Sequence, residues 1–160
     1  MPWNRSERNT TAGDTVFNQD FREFLKSLND NHVRYLVIGG YAVAYHGHPR
    51  YTKDLDVWIA SDKENAARII KALDDFGFAS LGLKEEDFLE PDQVIQLGYP
   101  PSRIDVLTST LGVDFDSCYP KREQVEIDGI QVNFIDLENL KKNKKAVGRH
   151  QDLADIEHLK

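Results

Sequence analysis

Apolar residues recur along the chain with a period that changes from segment to segment. In "DFREFLKSLNDNHVRY", Phe21, Phe24, Leu25 and Leu28 fall three and four positions apart, the spacing of one helical face. This predicts an amphipathic helix from about Asn18 to Leu28. "RYLVIGG" is a continuous apolar run closed by Gly39 and Gly40, the pattern of a buried strand. "YAVAYHG" predicts a short helix that starts at the glycine turn and is capped by Gly47. "TKDLDVWIA" predicts the second strand. In "SDKENAARIIKALDDFGF", Ala66, Ile69, Ile70 and Leu73 make one apolar face. Ser61 and Glu64 there have the spacing of a capping box, and Gly77 stops the helix.

The second half of the chain alternates with a shorter period. "DQVIQLG" and "SRIDVLTS" predict two strands joined by "YPP", and "QVEIDGIQVNFI" predicts a hairpin that turns at Asp128-Gly129. Asp136 caps a predicted helix through "LENLKKNKKAVG", and "RHQDLADIEHLK" predicts a last one. This order describes an α/β (α+β) fold, with one mixed central sheet flanked by helices. Residues 18–160 are expected to form it as a single domain, with residues 1–17 as a flexible N-terminal tail.

Composition narrows the class. A chain of 160 residues suits one domain, and 40% hydrophobic with 29% charged residues describes neither a disordered nor a membrane-spanning protein. No apolar run approaches the length of a transmembrane helix, and "MPWNRSERNTTAGD" lacks the apolar centre of a signal peptide. The single cysteine, Cys118, excludes an internal disulfide and fits a reducing compartment, so the expected location is cytoplasmic, with no membrane partner. The net charge of −7 argues against nucleic-acid binding by bulk positive charge, though not by a local basic patch.

The candidate chemistry centres on "YLVIGGYAVAYHGHPRYTKDLDVW". Residues i and i+2 of a strand share a face about 6.6 Å apart, so Asp54 and Asp56 are expected to aim together while Leu55 and Val57 enter the core. Two such carboxylates repel unless a cation lies between them. Mg2+ takes carboxylate oxygens together with phosphate oxygens, and paired metals can activate an attacking oxygen and stabilise a leaving one. Asp105 in "RIDVL" offers a third carboxylate on another strand. Gly39 and Gly40 supply a strand-to-helix turn whose backbone N–H groups can approach phosphate closely. Together these features describe metal-assisted nucleotidyl transfer.

Each residue also has a plainer reading. The glycines alone make a tight turn, Asp54 and Asp56 a solvated strand end, and Asp105 a surface charge or cap. Lys141, Lys142 and Lys145 read as a solvated helix face. The i, i+3 spacing of Arg149, Asp152 and Asp155 suits local pairing.

The ordered combination resembles the nucleotidyltransferase superfamily with the polymerase-beta-like fold: Gly39-Gly40 after a strand, Asp54-Leu55-Asp56 on the next, and Asp105 on a later one. It is similar, more closely, to the minimal nucleotidyltransferases related to AbiEii-type toxins. The shared runs are Arg50, Thr52, Asp54 and Asp56, and then Lys144, Arg149, Asp152, Leu153 and Asp155 in "KKAVGRHQDLADIEHL". Gly40 stands where many members carry Ser. The resemblance implies an enzyme that uses Mg2+ or Mn2+ to move an NMP group from an NTP, with ATP the expected donor, to a hydroxyl on RNA, protein or a small molecule. It implies Asp54, Asp56 and Asp105 as catalytic metal ligands. Nucleotide binding would fall to Gly39, Gly40, Arg50, Thr52, Lys144, Arg149 and Asp152. It also raises a toxin or antitoxin protein as a partner. The alternative is a nucleotide-binding, antitoxin-like interaction module with little or no catalysis.

Overall fold

A computed structural model of the chain describes residues 17–49 and 51–159. The elements run α1 (Gln19–Asp30), β1 (Tyr35–Ile38), α2 (Gly39–Tyr45), β2 (Leu55–Ile59), α3 (Lys63–Phe76), β3 (Val94–Leu97), β4 (Ile104–Leu107), α4 (Phe115–Cys118), β5 (Glu123–Ile127), β6 (Ile130–Phe134), α5 (Leu137–Val147) and α6 (His150–His158). The six strands form one mixed sheet in the order β3-β4-β2-β1-β6-β5. The expected α/β architecture is therefore the one present.

All four residues of β1 are buried, as the unbroken apolar run requires of a central strand. It pairs antiparallel with β2 and parallel with β6. Parallel pairing of β2 with β4 sets Leu55, Asp56, Val57 and Trp58 beside Ile104, Asp105, Val106 and Leu107. Antiparallel β3 and β5 close the two edges. The β5–β6 hairpin turns where the sequence places it: Asp128 and Gly129 have φ of 52° and 81°, the left-handed pair of a two-residue turn.

α1 buries Phe21, Phe24, Leu25 and Leu28, and it packs on α3. Ile104 lines a groove with Asp20 and Glu23 of α1 and with Phe76 and Phe78 at the end of α3. Because side chains alternate along a strand, Asp105 points to the other face, away from these helices. The tail expected over residues 1–17 lies outside the described residues except for Phe17, which is buried, its ring 5.0 Å from that of Tyr41.

Two local expectations change. The cap of α3 is Asp62, whose Oδ1 accepts the amide of Asn65 at 2.8 Å, and not the Ser61–Glu64 box. Ser61 Oγ instead donates to the carbonyl of Phe88 at 2.8 Å, which removes it as a cap. The second helix ends one residue early: His46 is its cap, and Gly47 follows with φ of 114°. No helix among the described residues is long and apolar enough to cross a membrane.

Asp62→Ala should cost about 0.5–2 kcal/mol, the range for losing an N-cap. Glu64→Ala should stay within about 0.5 kcal/mol. Urea denaturation of the two variants measures the difference, and the reverse order would restore the Ser61–Glu64 box.

Candidate active site

The register places the chemistry at one end of β1, β2 and β4. Ile38 pairs with Asp56 across the antiparallel β1–β2 ladder, so the next residue, Gly39, is held against the Asp56 side chain. Gly39 has φ of +68°, where glycine alone is unstrained. A Cβ there would overlap Asp56 Oδ2 and stand 3.0 Å from its Cγ. Glycine is therefore required at this turn twice over, by backbone conformation and by the carboxylate.

Asp56 and Asp105 are direct neighbours on adjacent parallel strands. Asp54 departs from expectation in one respect: β2 begins at Leu55, and Asp54 occupies the bend before it. Asp54 and Asp56 nonetheless line the same open cleft of about 370 Å³, with Gly39, Gly40, Tyr51, Thr52, Lys53, Lys144, Arg149 and Gln151. A second groove, of about 430 Å³, lies on the opposite face under α1 and contains no Lys or Arg in its lining. Of these two, the first cleft is the one that brings carboxylates and cations together. Burial first, and then the charges of Asp105 and Asp54, push the Asp56 carboxyl up to about 7, against the pull of Lys144 and Arg149.

Lys144 differs from its neighbours. It is 4% exposed, whereas Lys142 and Lys145 are exposed and Lys141 is half-buried. Its Nζ lies 2.9 Å from Asp152 Oδ1 and 3.1 Å from Asp155 Oδ2, and both carboxylates are fully buried. Arg149 Nε donates to Asp152 Oδ2 at 2.7 Å and its Nη2 donates to Oδ1 at 3.2 Å. Burial alone would raise the Asp152 carboxyl. The hydrogen bonds from Arg149 and Lys144 overcome that and hold it at about 2. This ionic cluster ties α6 to α5 and leaves the Arg149 side chain 72% exposed at the cleft.

Sequence reasoning missed Arg103. Its Nε and Nη2 donate to the two oxygens of Asp105 at 3.0 and 3.1 Å, and Nε stands 3.9 Å from Asp54 Oδ2. The usable signal was the Arg103–Asp105 spacing of two on a predicted strand, which puts both side chains on one face. Tyr51, Lys53 and Gln151 also line the cleft unforeseen. Arg50 lies outside the described residues. Cys118 is buried, and burial pushes its thiol up to about 11, so it offers no thiolate at neutral pH.

Over residues 17–160 the chain matches the family described as "Nucleotidyltransferase of unknown function (DUF6036)". The chain belongs to this family. Solved structures of the nucleotidyltransferase-like fold superimpose on it. One is a protein from Thermotoga maritima described as a candidate nucleotidyltransferase, with 17% identity, TM-score 0.58, and 86% of this chain and 88% of that one covered. Another is a lincosamide antibiotic adenylyltransferase with lincomycin bound, with 14% identity, TM-score 0.53, and 91% and 98% covered. A third is an antigenic nucleotidyltransferase-like protein from Paracoccidioides brasiliensis, with 16% identity, TM-score 0.50, and 88% and 74% covered. At these identities the likeness is one of fold. No curated protein sequence matches the chain.

The donor set of this nucleotidyltransferase-family chain suits a hard cation. Asp54 and Asp56 present carboxylate oxygens to one cleft, and Asp56 is crowded by like charge that a cation would relieve. Among the described residues no three His, Cys, Asp or Glu side chains are gathered into a ready-made metal cage. Mg2+ does not need one: one or two carboxylates plus the phosphates of a substrate are its usual partners.

Two outcomes follow from these charges. Lys144→Ala leaves two buried carboxylates without their shared cation and should cost about 3–5 kcal/mol. Lys142→Ala, on the exposed face, should cost less than about 1 kcal/mol. Urea denaturation compares them, and equal small losses would refute the buried cluster. The second outcome concerns Asp56, whose carboxyl rises from an ordinary 3.8 to about 7 on folding. The folded state then holds that proton more tightly than the unfolded state, so folding stability falls as pH rises between these values. Asp56→Asn cannot ionise. In chelator, its stability advantage over wild type should open from about pH 4 to 7 and level off above. A gap independent of pH would show that Asp56 is not perturbed.

Proposed function

We propose that this chain is a metal-dependent nucleotidyltransferase that moves an NMP group from an NTP to an acceptor hydroxyl. The observation that carries the reading is the cleft itself, where Asp54 and Asp56 meet Lys144, Arg149 and the side-chain-free Gly39 and Gly40. Carboxylates alone would serve a cation and cations alone an anion. Both together suit a metal–triphosphate complex.

In this reading Asp54 and Asp56 hold Mg2+ or Mn2+, with Asp105 beside Asp56 completing the carboxylate set. A bound divalent cation supplies neutralisation of phosphate charge and polarisation of the acceptor oxygen. The residues of the chain do the rest. Gly39 and Gly40 let phosphate approach the backbone without meeting a side chain. Arg149 is exposed at the cleft and already oriented by Asp152, so it is placed to pair with phosphate oxygens. Lys144 has its ammonium engaged by two carboxylates. It contributes a fixed positive field and anchors the helix that presents Arg149. Thr52 lines the same cleft, and Arg50 in the same motif is expected to serve the nucleotide too. The acceptor oxygen attacks the α-phosphorus, the α–β phosphoanhydride bond breaks and pyrophosphate leaves; Asp105, beside Asp56 on β4, would help activate the acceptor hydroxyl by taking its proton.

ATP is the favoured donor, and RNA, protein or a small molecule the acceptor. The AbiEii-type resemblance adds a toxin or antitoxin protein as a partner. A second reading, a nucleotide-binding partner module with little catalysis, draws on one observation: Arg103 occupies both oxygens of Asp105.

Incubation of the full chain with each labelled NTP, Mg2+ and a cell extract separates the two. Transfer of label should occur with wild type and fall by on the order of a hundredfold or more in Asp54→Asn and Asp56→Asn. Circular dichroism confirms that both remain folded. Wild-type rates in both variants would remove these aspartates from the site. Nucleotide binding without label transfer would favour the partner module.

A further inference from the structure

Arg103 immediately precedes β4, and its carbonyl accepts the amide of Leu55 at 3.1 Å. That bond fixes Arg103 beside Asp54, the residue before Leu55. Two positions on, Asp105 projects to the same face. The guanidinium forks onto it, Nε to Oδ1 at 3.0 Å and Nη2 to Oδ2 at 3.1 Å, while Asp54 Oδ2 stands 3.9 Å from the same Nε. One built-in cation therefore serves two of the three carboxylates, and the third, Asp56, is the direct neighbour of Asp105. The Arg103 side chain is 33% exposed, the more solvent-accessible partner of the pair. Asp105 is 9% exposed and is held by its strand. A guanidinium keeps its proton at any working pH, so it leaves Asp105 only by exchange against another cation.

We propose that Arg103 is the resident counter-ion of the carboxylate cluster: it orients Asp105, and a divalent cation must displace it to reach Asp105. The inference rests on reading Asp54, Asp56 and Asp105 as cation ligands. Arg103 is then a positioning residue that acts through Asp105. Its consequence is a gate on metal loading. A bare cation meets a carboxylate whose two oxygens are already taken, beside a like charge at short range. A cation that arrives with a triphosphate brings anionic oxygens, which offer the released guanidinium a bidentate partner. Metal and nucleotide are thereby made to enter together.

The test is Mn2+ affinity of the full chain without nucleotide, read by electron paramagnetic resonance. The proteins compared are wild type, Arg103→Gln, Arg103→Lys, Asp105→Asn and the Arg103→Gln/Asp105→Asn double variant. Arg103→Gln should bind Mn2+ about tenfold more tightly, because the competing charge is gone. Arg103→Lys keeps the charge and should stay within about threefold of wild type. In the Asp105→Asn background, Arg103→Gln should bring no gain. Structural damage does not tighten binding, so a gain reports the counter-ion. Unchanged or weaker Mn2+ binding by folded Arg103→Gln overturns the proposal and leaves the carboxylates as ligands. Absence of Mn2+ binding in every protein, together with absence of nucleotidyl transfer by wild type, overturns the parent reading as well. Wild type gives a measurement independent of variant folding. The NMR signal of the Arg103 Nε–H should move when Mg2+ and a non-hydrolysable NTP are added, and a signal that stays fixed at saturation overturns the proposal.

Discussion

Asp56 and Asp105 stand side by side on parallel strands, and the local structure around them answers that repulsion. Two carboxylates so placed, with Asp54 a few residues away, cannot all remain charged in a half-buried setting without cations nearby. Among the described residues, three cations act on Asp56 or Asp105. Arg103 grips Asp105, while Lys144 and Arg149 lower the cost of ionising Asp56 from across the cleft. The remaining imbalance shows in Asp56, whose proton is held up to about pH 7. A sheet kept only for stability gains nothing from this arrangement, since apolar residues at the same positions would pack without repulsion. Under the proposed function, this crowding is what a bound divalent cation would relieve.

Gly39 is the other side of that constraint. The antiparallel β1–β2 register brings the chain past Asp56 just where it must turn into α2. A side chain at Gly39 would collide with the carboxylate, so the turn and the acid are one unit. The same bare backbone that makes room for Asp56 also leaves the cleft floor open to a ligand. On the far wall, the buried cluster of Lys144, Asp152 and Asp155 costs desolvation that only close pairing offsets. Its return is geometric. It docks α6 on α5 and aims Arg149 over the same cleft.

Much of this was legible in the sequence where the determinants are local. The apolar run of β1, the face of α1, the Asp128-Gly129 turn and the Asp136 cap depend on neighbouring residues, and each lies where the pattern placed it. The carboxylate pair and the glycines were readable as a set because their order along the chain is distinctive. What was not legible depends on partners distant in sequence. Ser61 and Asp62 are equally good caps until Phe88 claims the Ser61 hydroxyl. Asp54 reads as a strand residue until the β2–β4 pairing starts at Leu55. The family resemblance separates Lys144 from the other lysines of "KKNKK", but its burial against two carboxylates exists only once α6 folds back. Arg103 is two residues from Asp105, but nothing local says that Asp54 joins them.

The cations of this site differ in kind, and that difference orders what they do. Lys144 is buried, with its ammonium held by two buried carboxylates, so its field is constant. Arg149 is fixed at one edge by Asp152 yet exposed, so it can add a partner without breaking the pair it has. Arg103 is one-third exposed and bound to a carboxylate that the proposed function assigns to a metal, so under that proposal it is the one of the three that exchanges. On the proposed function, a permanent field, an adjustable arm and a removable counter-ion would together hold negative charge steady as a charged ligand binds and leaves. Acid crowding sets the demand, and the graded burial of these three bases sets which of them the proposal has exchange.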